Sequence, residues 1–158
     1  MDCSCWRSEE KIPNVRRYWS RSSFVEAVDF QTSSNIILRG YRLWNDRRLF
    51  RSSYSIAIQL FQGNSSIANK SVTYDARFPS KKTFEVYFSR YIHLQAGVKY
   101  TAAVKMPRSG SYVAQNSAMN YNFCSGVNVT FMKSGMKRPK HSSYVQQIPA
   151  LIFLSLKC

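Results

Sequence analysis

The sequence predicts an all-β protein, an antiparallel two-sheet β-sandwich of jelly-roll-like form. Three observations carry that expectation. Apolar and polar residues alternate with period two in one segment after another. Apolar spacings of three and four, the mark of an amphipathic helix, are nearly missing. Clusters of Ser, Asn and Gly separate the alternating runs, and many short strands joined by such turns pack as two facing sheets.

The segments support this in order. "MDCSCWRSEEKIP", residues 1–13, is polar and lacks alternation, so it is expected to be a flexible tail ahead of one domain over 14–158. "FVEAVDF" sets Phe24, Val28 and Phe30 on one face, with Glu26 the odd member. "QTSSN" is a turn, and "NIILRGYRLW" the next strand. "SYSIAIQLF" alternates cleanly: Tyr54, Ile56, Ile58 and Leu60 against Ser55, Ala57 and Gln59. Beyond the turn "QGNSS", "NKSVTYD" pairs Val72 with Tyr74 on one side. "KTFEVYF" presents Phe84, Val86 and Phe88 against Glu85 and Tyr87.

A Gln-Ala-Gly turn then introduces Val98, Tyr100, Ala102 and Val104, facing away from Lys99, Thr101 and Lys105. "VNVTF" contributes Val127, Val129 and Phe131. The last strand is "PALIFLSL", whose "ALIF" is a continuous apolar run, as expected of a strand covered on one face and bordered by a long loop on the other. Pro149 has no N–H and belongs at its start. Pairing of this strand with an early one would bring the two ends of the domain together. Gly63, Gly97 and Gly110 read as turn glycines.

At 158 residues the chain suits one domain that buries about 70% of its unfolded surface. No internal repeat is present, and no apolar run is long enough to span a bilayer. The start lacks the basic and apolar regions of a secretory signal, so a cytoplasmic or nuclear protein, or a domain of a longer chain, is expected. On that basis the acceptor-like triplets at Asn64, Asn69 and Asn128 read as polar loops.

Charge is the unusual property. Against 8 acidic residues stand 23 Lys and Arg, a net charge of +15. The last carboxylate is Glu85. Such a surface attracts acidic proteins, nucleic acid or anionic lipid. The basic pairs Arg16-Arg17, Arg47-Arg48, Lys81-Lys82 and Lys137-Arg138 are spread along the chain, which also suits a merely solvated surface.

Catalytic patterns are absent from the sequence. His93 and His141 have no nucleophile elbow or acidic partner nearby, and there is no phosphate-binding glycine loop. The cysteines are Cys3, Cys5, Cys124 and Cys158. Cys3 and Cys5 are too closely spaced for the usual zinc knuckle, and no second ligand pair stands out. Reduced, non-ligating thiols are expected, with Cys124 a small buried hydrophobe. No enzyme activity, cofactor or metal is expected.

Four blocks, in order, resemble the PHR domain of Pam/Highwire-type ubiquitin ligases and of BTB/POZ-domain proteins. They are "VDFQTSSNIILRGYRLW", "YSIAIQLF", "TFEVYFSRYIHLQAGVKYTAAVKM" and the closing "QQIPALIF". The resemblance runs from Val15 to Phe153. Gln146 stands where the family has a glycine before Gln-Ile-Pro.

The resemblance implies a non-enzymatic β-sandwich that recruits protein partners or ubiquitination substrates. A RING, or a BTB region docked to cullin-3 and absent from this chain, would then handle the ligase step. Recognition is expected at three long loops: Trp44–Ser52, Met106–Asn122 and Met132–Gln146. Trp44, Arg47, Arg48, Tyr112, Lys137 and Arg138 are the expected partner-binding residues, since aromatic and Arg anchors concentrate binding energy. The alternatives are a basic sandwich binding nucleic acid or anionic lipid, and a simple spacer.

Overall fold

The computed structural model describes residues 3–6, 15–18, 24–44, 53–75, 83–106, 111–114, 121–124, 126–134, 148 and 150–155. Every regular element among them is a strand: β1 (Cys3–Trp6), β2 (Val15–Tyr18), β3 (Phe24–Thr32), β4 (Ile36–Trp44), β5 (Ser53–Gln62), β6 (Ser65–Asp75), β7 (Thr83–Leu94), β8 (Tyr100–Met106), β9 (Ser111–Ala114), β10 (Tyr121–Cys124), β11 (Val127–Lys133) and β12 (Ala150–Leu154). They form a four-stranded sheet in the order β1-β12-β4-β7 and a six-stranded sheet in the order β10-β11-β3-β8-β5-β6. Strands β2 and β9 make a small third sheet. All pairings are antiparallel. Among the described residues no helix is long and apolar enough to cross a membrane.

The alternation seen in the sequence becomes the core. Leu38, Tyr41, Leu43, Val86, Phe88, Ile92, Leu94, Leu151 and Phe153 from the four-stranded sheet belong to one buried cluster. Val28, Phe30, Ile56, Ile58, Leu60, Tyr100, Ala102, Val104, Val127, Val129 and Phe131 from the six-stranded sheet belong to it too, as do Ile36 of β4 and Ile148. Each fully buried Val, Leu, Ile or Phe contributes about 1.5–3 kcal/mol relative to exposure. Tyr41 spans the gap. Its ring meets Phe88 edge-on at 5.4 Å, and its hydroxyl donates to the Gln59 carbonyl of β5 at 2.7 Å. Burial raises the Tyr41 pKa well above that of an ordinary phenol.

The closing strand lies between β1 and β4, so both of its edges are paired. Ala150, Leu151, Ile152 and Phe153 are all buried, which accounts for the unbroken apolar run. Pro149 lies outside the described residues. The expected pairing of the last strand with an early one is present twice, with Cys3 opposite Phe153 and Leu38 opposite Phe153 on the other side.

Three expectations need correction. Within the predicted tail, Cys3–Trp6 is a strand, because β12 offers an edge of backbone N–H and C=O groups that this segment satisfies. The segment "FVEAVDF" is buried on both faces, with Glu26, Ala27 and Asp29 buried along with Val28 and Phe30, and β3 is paired on both edges as well. Asp29 accepts a 2.6 Å hydrogen bond from the Thr101 hydroxyl, with the Lys99 ammonium 3.8 Å away. The predicted loop Met106–Asn122 contains β9 and the start of β10, because its "SYVA" pairs with β2.

Gly63 and Gly97 take positive φ, as their turns require, and so does Gly126. Gly110 lies outside the described residues.

Candidate functional site

Strands β4 and β7 pair out of step in the middle. Leu38 stands opposite Ile92, but the next rung joins Gly40 to Tyr87, so Phe88–Tyr91 face Arg39 alone. The ladder between β12 and β4 shifts at the same place, with Phe153 opposite Leu38 and Ile152 opposite Gly40. Arg39 is therefore the extra residue in the β12 ladder, while in the β7 ladder the extra residues lie on β7 opposite it, an arrangement that re-aims side chains at a sheet surface. Gly40 permits it: a Cβ there would lie 2.0 Å from the Val86 carbonyl oxygen.

The bulge creates an aromatic and cationic patch on the outer face of the four-stranded sheet. The Arg39 guanidinium lies 4.4 Å from the Tyr91 ring centre and 5.5 Å from that of Tyr87, within cation–π range. Tyr91 is 58% exposed, the one large exposed hydrophobic side chain among the described residues. Glu85 accepts hydrogen bonds from Arg42 and from the Tyr87 hydroxyl, which orients that ring. The bulge is tied to its neighbour β6. Arg90 donates to the Ile67 carbonyl at 2.6 Å, and the Lys70 ammonium to the Ser89 hydroxyl at 2.9 Å.

One row further along, the same face opens into a cleft of ≈ 570 Å³ at the ends of β4, β7 and β12. Its lining includes Asn35, Ile37, His93, Gln95, Leu154 and Ser155. Ile37 is opposite His93 in one ladder and Leu154 in the other, so these three form one row across the sheet. Local hydrogen bonds fix the rim. The Ala96 N–H donates to Asn35 Oδ1 at 2.8 Å, the Gln95 N–H to the Tyr100 hydroxyl at 3.0 Å, and the Gly97 N–H to the Thr32 carbonyl at 2.9 Å. A concave apolar cleft beside an exposed Tyr–Arg pair offers contact area, π faces and N–H donors, which is the chemistry of recognition.

Two of the residues expected from the sequence are placed on strands. Trp44 ends β4 opposite Thr83, and Tyr112 lies within β9 opposite Arg17; the side chains of both lie outside the described part. Arg47, Arg48, Lys137 and Arg138 lie outside the described residues. Arg39, Tyr87 and Tyr91 were missed by sequence reasoning. A signal was present: Arg90 occupies a position where the run Phe84, Val86, Phe88, Ile92, Leu94 demands a core residue. A break in phase of that kind marks a bulge.

The family model for the PHR domain matches residues 11–154. No curated protein matches the chain.

Proposed function

Since the chain belongs to the PHR-domain family, whose members are protein-interaction modules, we propose that it recruits a partner or substrate protein to a ubiquitin ligase and catalyses nothing itself. Recruitment would act through a cullin-3-docked BTB region or a RING elsewhere in the assembly, in the cytoplasm or nucleus. The observation that carries the proposal is the Arg39–Tyr91 pair beside the Ile37–His93–Leu154 cleft. Tyr and Arg are the residue types in which interface energy concentrates, and a hydrogen-bonded bulge presents them with little ordering cost. Trp44 and Tyr112, with Arg47, Arg48, Lys137 and Arg138, remain the second proposed contact region.

The test is affinity capture with the intact chain at low and high salt, comparing wild type with Tyr91→Ala and Trp44→Ala. A discrete set of proteins that survives high salt and is lost from a variant that folds normally is the expected result. Identical capture by both variants would remove the interaction face from consideration.

A second reading rests on the net charge of +15 and on the absence of any carboxylate after Glu85. A polyanion-binding sandwich would lose affinity steeply with salt, because each neutralised phosphate releases counterions. Recovery of nucleic acid alone, all of it washed off at high salt, is the outcome that favours it.

A further inference from the structure

Ile37, His93 and Leu154 stand in one row on three neighbouring strands, so the floor of the cleft is about 10 Å across. Ile37 and Leu154 are half-buried, and His93 is exposed. Arg39 follows Ile37 on β4 by two residues, about 7 Å along the same face, where its guanidinium stacks on Tyr91. Charge sets this cleft apart from a plain apolar groove. The four-stranded sheet carries one carboxylate, Glu85, against Arg39, Arg42 and Arg90. The charge of Glu85 is offset by Arg42, and its second oxygen accepts the Tyr87 hydroxyl. The sheet is therefore cationic, and Arg39 brings that charge beside the apolar floor.

Building on the recruitment reading above, we infer that this face takes an extended acidic segment of the partner protein. One aliphatic side chain of the segment fills the Ile37–His93–Leu154 cleft, and a carboxylate two residues away pairs with Arg39. The spacing matches, because residues i and i+2 of an extended chain point the same way and lie about 7 Å apart. Guanidinium and carboxylate form a strong, directional pair, and a guanidinium held against tyrosine rings enters it with little ordering cost. A nucleic-acid strand offers phosphates and flat bases but no aliphatic side chain for the cleft.

The intact chain is panned against a displayed library of random nine-residue peptides, and the strongest selected peptide is made synthetically and titrated by fluorescence anisotropy. Selected peptides should be enriched in Asp or Glu two positions from Leu, Ile or Met. Changing that carboxylate to its amide, or the aliphatic residue to Ser, should each weaken binding at least about tenfold. Tyr91→Ala should do the same in a protein whose circular dichroism is unchanged. A selection without the acidic–aliphatic pattern overturns the ligand class. So does binding that ignores both the aliphatic change and Tyr91→Ala, and displacement by single-stranded DNA would then identify bulk charge as the attractor. Failure of recruitment itself reads differently. A captured protein that the peptide does not displace overturns this ligand and leaves recruitment standing, whereas peptide binding with no protein captured overturns recruitment and keeps the site.

Discussion

The Tyr41 hydroxyl, carried by β4, donates a 2.7 Å hydrogen bond to the Gln59 carbonyl of β5, across the interior from one sheet to the other. A tyrosine buried among aliphatic side chains must satisfy its hydroxyl, and this bond does so while fixing how far apart the sheets stand. Tyr41→Phe keeps the edge-on contact with Phe88 and removes only the donor. The expected loss is about 1 kcal/mol, read as a lower urea midpoint with an unchanged slope. An unchanged midpoint would mean the bond contributes nothing net.

The same phenol predicts an alkaline signature. Burial holds its folded-state pKa above the unfolded value of about 10, so near pH 10 the unfolded chain releases this proton and the folded protein keeps it. The contribution is therefore complete below about pH 10 and is lost as pH rises towards the folded pKa. Other groups titrate in that range too, which is why the difference matters. The stability advantage of wild type over Tyr41→Phe should shrink above about pH 10, measured by urea unfolding at stepped pH. A constant difference would show that the ring ionises as easily folded as unfolded.

Gly40→Ala is expected to be the most damaging single-methyl change on β4. The new Cβ would lie 2.0 Å from the Val86 carbonyl oxygen and 2.8 Å from the Tyr87 Cα, so the β7 backbone must move. A cost of about 3 kcal/mol or more is expected, together with displacement of the bulge that carries Tyr91. Thermal unfolding checks the first, and the near-ultraviolet tyrosine signal the second. A wild-type melting curve would contradict the close approach.

Ile152→Asp should leave little folded protein. Ile152 is 1% exposed in a strand paired on both edges, and a carboxylate there costs about 4 kcal/mol or more. Tyr91→Ala, at an exposed position, should change stability by no more than about 0.5 kcal/mol. Circular dichroism of the two variants side by side distinguishes core from surface, and a folded Ile152→Asp would place β12 outside the core.

Much of the fold was legible in the residues because alternation is a local property. Ile56, Ile58 and Leu60, or Val127, Val129 and Phe131, declare their face without reference to any other segment, and all six are core residues. The run "ALIF" announced a buried closing strand, and Ala150–Phe153 are buried. What escaped was non-local. Nothing within "CSCW" indicates that a distant strand needs a partner, so β1 read as tail. Asp29 looks like a surface residue until Thr101, seventy-two positions away, is brought against it. The Arg39–Tyr91 face depends on two ladders slipping at one place, and only the misplaced Arg90 hints at it.

The pairing of β1 with β12 has a mechanical consequence. Cys3 sits opposite Phe153 and Trp6 opposite Ala150, so the outermost rung is the one nearest both ends of the chain. A force drawing the flanking segments apart would load that rung first and peel the pair open bond by bond, instead of shearing all of its bonds together. The four-stranded sheet would then expose the edge of β12 before the Tyr41–Gln59 tie, deeper in the sandwich, carries any load.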